Sequence, residues 1–285
     1  MRVLLAIVHF FRAEERSTHS STDAHRRDQR AAVLRGVIDS WRGTFGPATA
    51  INIETKRFDR LRGSVDGLDI AVITNGSDHL LDDAHAKARG VRHIKVQVDN
   101  PRMLGFAAQK VFAEARNSYD LFCYSEDDLR VGDPGFIDKL MAFQDCFGWK
   151  RVLAPNRFEW NAAGPTLKTW IDGDLRPGAI AQWVDALPDE AFLHRPVPGR
   201  PALAFRRAAN PHSGFYALTA QQLAHWSRQA HYLDLDSSFI SPLESAATLG
   251  VMKTFPIYKS FGTDMGHFEV EHLDTRFSSM KLPGA

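Results

Sequence analysis

Three adjacent carboxylates, Glu126-Asp127-Asp128, follow the hydrophobic run Leu121 to Tyr124 after a single serine, Ser125. Carboxylates so placed suit a hard divalent cation, Mn²⁺ or Mg²⁺. Such ions prefer oxygen ligands and bridge one or two protein carboxylates to the phosphates of a substrate. Continued as a strand, the stretch puts Glu126 and Asp128 on one face and turns Asp127 the other way, toward a sugar or ribose. A plain solvated turn accounts for the same three residues, but the position after a buried strand favours the metal reading. Glu244 suits a general base that takes the proton from an attacking hydroxyl. It also completes Ser241-x-x-Glu244, a capping box that would occupy it at a helix start.

Other groups fall near predicted strand ends. His9 and Phe10 end the first apolar run, and Phe10 suits base stacking and core packing alike. Asn75 and Asp78 bracket Asn-Gly-Ser-Asp, a turn signal that also suits contacts to a base or ribose. Arg102 and Lys110 flank a helical segment and suit phosphate contacts as readily as a solvated face. Arg206 and Arg207 match anionic acceptor groups or plain solvation. Trp160, Trp170 and Trp183 suit stacking on sugar rings or packing within a lid. His267 and His272 are spaced to face opposite sides of an extended chain, so both do not serve one metal.

The elements that must position these groups alternate. Val3 to Val8 reads as a strand covered on both faces, 12 to 28 as a long loop, and Ala31, Leu34, Val37, Ile38 and Trp41 as a helix ended by Gly43 and Gly46. Further strands are predicted at Ala50 to Ile53, Ile70 to Thr74, Val91 to Val98 and Leu121 to Tyr124. Helices are predicted at 104–115 and, capped by Asp133 and Pro134, at 136–143. Thr219 with Gln222 caps another that runs to about Ala230, and Ser241 opens one stopped by Gly250. Strand–helix alternation implies parallel pairing, with ligands bound beyond the carboxyl ends of the strands. Between 154 and 211 the many prolines, Pro165 among them, predict a loop-rich segment.

The stretch LGFAAQKVFAEARNSYDLFCYSEDDLRV resembles the centre of nucleotide-sugar glycosyltransferases of the GT-A fold, with Glu126-Asp127-Asp128 in the place of their D/ExD motif. Asn210-Pro211-His212-Ser213-Gly214-Phe215-Tyr216 resembles the family's NPxxGxY segment, Glu244 falls where it carries an acidic residue near the acceptor, and Phe268 to Leu273 is similar to a late segment whose histidine completes the metal or diphosphate site. Gln109 and Lys110 depart from the Arg-Asn of many members. The resemblance implies a single α/β/α sandwich, Rossmann-like, with a mixed, mostly parallel sheet. Residues 1–130 would bind the nucleotide sugar and 131–285 the acceptor. It implies Mn²⁺ or Mg²⁺ on Glu126, Asp128 and His272, and donor contacts from His9, Phe10, Asn75, Asp78, Arg102, Lys110 and Asp127. It also implies Glu244 as base, a UDP-sugar foremost as donor, and a carbohydrate or glycoconjugate acceptor.

Composition removes competing classes. The 35 basic and 34 acidic residues among 285 leave a formal charge of +1, which supplies no basic field for nucleic acid. Two cysteines build no disulfide framework, and no CxxC spacing marks a zinc site. A pyrophosphorylase or other nucleotidyltransferase calls for a glycine-rich loop after the first strand, where this chain has His-Phe-Phe-Arg-Ala-Glu-Glu. A non-catalytic nucleotide-sugar binding module is the other alternative. No apolar run approaches the roughly 20 residues of a membrane span. The expected location is cytoplasmic, with attachment to the inner face of a membrane left open.

Overall fold

The structure, a computed structural model, describes residues 1–14, 22–61, 63–161, 167–274 and 276–280. Arg2–Val8 forms the middle of a five-stranded sheet ordered Phe215–Thr219, Leu121–Glu126, Arg2–Val8, Gly67–Thr74, Val91–Lys95. The last four run parallel, and Phe215–Thr219 joins antiparallel at the edge. Both faces of the central strand are covered, which is why its sequence is continuously apolar. Leu5 and Ile7 pack with Leu34, Val37 and Trp41 of the helix Arg27–Phe45 and with Phe136 and Leu140 of Phe136–Phe147. Leu4 and Ala6 face the other way. They meet Ala108 and Phe112 of Ala107–Ala115, Trp226 of Ala220–Trp226 and Leu249 of Pro242–Met252. The expected α/β sandwich with a mixed, mostly parallel sheet is therefore what the chain forms.

The register sets the functional edge. Val8 pairs with both Glu126 and Ile73, and Thr74 pairs with Lys95, so the carboxyl ends of the parallel strands finish in one row. Residues following those ends project beyond the sheet, where open α/β folds bind ligands.

Two glycines expected to stop helices do not. Arg27–Phe45 runs through Gly43 and ends at Gly46, and Pro242–Met252 runs through Gly250. A Cβ on Gly250 would lie 2.4 Å from the Trp226 ring, so this glycine serves close packing. Gly105 does the same, since a Cβ there would lie 2.6 Å from that of Ala246. This approach seats the 242–252 helix against the turn that precedes Ala107.

The strand expected at Ala50 to Ile53 is instead half of an exposed hairpin, Ala48–Asn52 with Arg57–Leu61, outside the central sheet. Of the loop expected at 12–28, residues 15–21 lie outside the described ones, and helical structure already begins at Ala24. The second half holds more strand than its prolines suggest. One four-stranded sheet is ordered Lys168–Trp170, Asn156–Trp160, Glu269–His272, Leu129–Arg130. Another is ordered Phe192–Val197, Arg200–Arg207, Ile257–Ser260, Val152–Leu153. Pro196 is accommodated because its strand is an edge with a register shift between Arg195 and Val197. Pro165 lies outside the described residues.

Candidate functional site

The Leu121–Glu126 strand stops at Glu126, and Asp127-Asp128 make a turn before Leu129–Arg130. The alternation expected to align Glu126 with Asp128 therefore does not continue, and each carboxylate acquires its own surroundings. His272 pairs across from Leu129, and the Leu273 N–H donates to the Asp128 carbonyl at 2.8 Å. The neighbouring strand pairs Glu271 with Phe158. This register brings His272 and Glu159 to the acidic turn. His272 Nδ1 lies 2.8 Å from Glu159 Oε1, while Nε2 faces Asp128 Oδ2 at 3.7 Å. Glu159 is fully buried, yet its other oxygen accepts from the Phe277 and Ser278 amides at 3.1 and 2.7 Å. Burial opposes its charge, but the His272 and Ser278 hydrogen bonds outweigh that and hold its pKa below the ordinary range. Burial likewise opposes a charged His272, but Glu159 and Asp128 prevail and raise its pKa. Two carboxylates facing one imidazole favour positive charge between them.

Asp127 is directed inward. Its Oδ2 takes a short hydrogen bond from His9 Nδ1, and its Oδ1 meets Arg30 Nη2 at 2.5 Å. The tautomer of His9 follows from its other nitrogen, which accepts the Leu80 amide at 2.9 Å and so leaves the proton on Nδ1. Arg30 Nη1 also reaches Asp128 Oδ2 at 3.1 Å. Burial opposes the Asp127 charge, but Arg30 and His9 overcome it and lower the pKa to about 2. With both oxygens held by protein, Asp127 ties the ends of two elements together rather than facing a sugar or ribose.

Glu126 faces a different set. The Gly214 carbonyl accepts its amide at 2.9 Å, and a Cβ on Gly214, whose φ is +61°, would lie 2.3 Å from Glu126 Oε2. Glycine is required there on both counts. Arg157 Nη1 and His212 Nε2 each stand 3.9 Å from its carboxylate. Burial raises the Glu126 pKa to about 7, with Arg157 offsetting part of the rise and Asp128 adding to it. Behind this group lies a buried network. Asp172 binds Arg157 Nε and Lys259 Nζ at 2.8 Å each, and Lys259 also donates to the His212 carbonyl at 2.8 Å.

Asp172 yields a pH prediction. Burial opposes its charge, but Lys259 and Arg157 outweigh it and bring the pKa to about 2, below the ~3.9 of an unfolded aspartate. Its contribution is therefore complete above about pH 4 and fades as pH falls toward 2. Asp172→Asn is expected to lower stability by about 2 kcal/mol at pH 7. In urea unfolding followed against pH, its gap from the parent should close only below about pH 4.

The remaining sequence candidates are dispersed along the same edge or away from it. Asn75 and Asp78 form a self-contained turn, with Asn75 Nδ2 donating to Asp78 Oδ2 at 2.7 Å and Arg12 reaching the same oxygen at 2.7 Å. Those bonds bring the Asp78 pKa to about 2. Phe10 is half-buried, with the Arg12 guanidinium 5.6 Å from its ring. Arg102 and Lys110 are exposed, on the 101–106 turn and the following helix. Glu244 is half-buried and takes a short hydrogen bond from the Ser241 hydroxyl, while Ser241 accepts the Leu243 amide. The reciprocal bond of a capping box to the Ser241 amide is not what holds it. Arg207 donates to the Val184 carbonyl, Arg206 pairs with Asp174, and Trp183 packs edge-on to Phe239. His267 packs edge-on against Phe205 and is lowered in pKa, chiefly by burial.

Arg30, Arg157, Glu159, Asp172 and Lys259 entered no sequence-level candidate set. One signal was available. Arg30 precedes Leu34, Val37 and Trp41 on the apolar stripe of its helix, and a cation on such a stripe demands a buried partner. Arg157 and Glu159 carried none, because the strand that buries them, Asn156–Trp160, lies in the segment read as loop.

Among the described residues no three His, Cys, Asp or Glu side chains gather into a ready metal cage. The acidic turn nonetheless fits a cation that keeps most of its shell from water and phosphate. Asp128 Oδ1 is buried without a hydrogen-bond partner, and His272 presents Nε2 to the other oxygen, Oδ2, at 3.7 Å. Glu159 backs the imidazole as carboxylates back metal-ligating histidines.

No family model and no curated protein matches the chain. Solved structures similar to it include glucosyl-3-phosphoglycerate synthase from Mycobacterium tuberculosis in complex with Mn²⁺, UDP and glucosyl-3-phosphoglycerate. That match has 16% identity and a TM-score of 0.38 and covers 77% of this chain, but only 57% of that one. Mannose-1-phosphate geranyltransferase from Thermus thermophilus aligns at 12% identity over 92% of this chain and 74% of that one, with a TM-score of 0.42. CMP:2-keto-3-deoxy-manno-octonic acid synthetase complexed with CTP aligns at 12% identity over 95% and 88%, with a TM-score of 0.37. No helix among the described residues is long and apolar enough to cross a membrane.

Proposed function

We propose that this chain is a metal-dependent glycosyltransferase that moves a sugar from a nucleotide diphosphate sugar to an acceptor hydroxyl. The observation that carries the reading is the pairing of Asp128, with its unpartnered buried Oδ1, and His272 Nε2 at the carboxyl edge of the sheet, with Glu159 behind the imidazole. Asp128 and His272 would hold Mn²⁺ or Mg²⁺, with Glu126 supporting. When bound, the ion neutralises charge that develops on a departing diphosphate.

The chain's own residues supply the rest. Arg30 fixes Asp128 through one guanidinium arm while its other arm holds Asp127, so the turn keeps its shape without the ion. Phe10, Asn75 and Asp78, on the loops after neighbouring parallel strands, are the candidates to hold the nucleoside, and Arg102 and Lys110 the diphosphate. Glu244 opens the helix seated by Gly105 and is the candidate base. To act, it must exchange the Ser241 hydroxyl for the acceptor hydroxyl and accept its proton. The donor proposed first is a UDP-sugar, with a carbohydrate or glycoconjugate as acceptor.

Nucleotide release from a panel of nucleotide sugars, followed by mass spectrometry, tests the reading. Release with at least one donor is expected with Mn²⁺ or Mg²⁺ and not with EDTA. Absence of metal-dependent release across the panel contradicts it.

A further inference from the structure

A cleft of about 260 Å³ opens between residues 170–174, 206–210 and 259–265. Arg157 links its wall to the acidic turn, binding Asp172 at 2.8 Å and facing Glu126 at 3.9 Å. The cleft has aromatic surface. Trp170 and Phe261 both line it and are 37% and 36% exposed. The indole is oriented by its N–H bond to Glu269 at 3.0 Å, with the Lys168 ammonium 4.9 Å from the ring centre. Half-exposed aromatic rings fixed from behind offer an apolar face to the C–H side of a sugar ring.

The charges in the cleft are closed on themselves. Its lining contains two cations, Arg206 and Lys259, and two carboxylates, Asp172 and Asp174. Arg206 pairs with Asp174 and lies 4.4 Å above the Phe261 ring, and Lys259 pairs with Asp172 at 2.8 Å. Lys259 is buried and has already spent a second N–H on the His212 carbonyl. Among the described residues each lining cation already has a carboxylate partner, and a phosphate or carboxylate entering here also meets the exposed Asp174 carboxylate. A neutral ring meets the exposed Asp174 carboxylate, an acceptor for alcohol donors, while Asp172 and Asn156 are buried and held by protein partners.

We infer that this cleft is the acceptor subsite and that it takes a neutral sugar ring stacked on Trp170, not a phosphorylated or carboxylated acceptor. The inference rests on the glycosyltransferase reading for the word acceptor. The sugar site itself stands on the cleft alone, and its binding is read without metal or nucleotide; only the displacement arm, which tests the acceptor assignment, adds them.

Saturation-transfer NMR with neutral methyl hexosides and N-acetylhexosaminides, set against glucose 6-phosphate, 3-phosphoglycerate and glucuronate, reads the preference. At least one neutral glycoside is expected to bind, with an affinity that hardly changes with salt. Trp170→Ala should weaken it about tenfold, and Trp170→Phe, which keeps a ring, should recover most of the loss. Asp128→Ala should bind it as the parent does. Binding by no neutral glycoside, or preferential salt-sensitive binding of the anionic probes, overturns the inference. Displacement of the glycoside by UDP-glucose with Mn²⁺ but not by UDP with Mn²⁺ would place the donor's own sugar in the cleft and overturn the acceptor assignment.

Discussion

Arg30→Ala is expected to destabilise the protein by about 3–5 kcal/mol, the usual consequence of removing one partner of a buried ion pair. Arg30 is 4% exposed, and its guanidinium is shared by Asp127 and Asp128. Its removal leaves Asp127 enclosed with only the neutral His9 donor. Both chemical and thermal unfolding read the change. Arg30→Lys keeps the charge but not the fork that spans two carboxylates, and should fall between. Adding Asp127→Asn to Arg30→Met removes both charges together and should recover much of the loss. A cost below about 1 kcal/mol for Arg30→Ala would mean that the turn is not held by this pair.

Asp128→Ala carries the largest expected effect on activity. Its carboxylate is the one with an unpartnered buried oxygen, and Arg30 retains Asp127 when Asp128 is lost. Metal-dependent nucleotide release should fall to background while circular dichroism stays that of the parent. Glu159→Gln tests the same place from behind. It removes the charge that orients His272 and should lower the apparent affinity for Mn²⁺ about 10–100-fold. Activity lost in Glu159→Gln but restored by excess Mn²⁺ separates a positioning role from a general loss of structure. Retained metal-dependent turnover in Asp128→Ala would refute the ligand assignment.

The sequence shows the sandwich because its cause is local. Unbroken apolar runs such as Val3 to Ile7 belong to strands covered on both faces, and the helical stripes at 31–41 and 104–115 supply the covering layers. The edge is legible for the same reason, since polar clusters follow those runs directly. The partners of the acidic turn are not local. His272 and Glu159 reach Asp128 through pairing among strands distant in sequence, and Arg30 through a helix that packs back over the sheet. The inward turn of Asp127 depends on where the strand ends, a matter of one residue. Prolines misdirect the reading of 154–211 because a sheet edge tolerates them, as at Pro196, and a chain pattern does not reveal which strands are edges. Gly250 misdirects for a related reason. Its missing side chain serves Trp226 from another helix, and local pattern reads it as a stop.

Asp128 and His272 are proposed to form a metal-dependent site for a nucleotide diphosphate. Thermal unfolding with a panel of nucleoside diphosphates, each with and without Mn²⁺ or Mg²⁺, tests that assignment, because a ligand that binds only the folded state raises the transition temperature. At least one diphosphate should stabilise the parent when metal is present and not when it is chelated, and the shift should vanish in Asp128→Ala. No metal-dependent shift with any nucleotide, or a shift that survives Asp128→Ala, contradicts it.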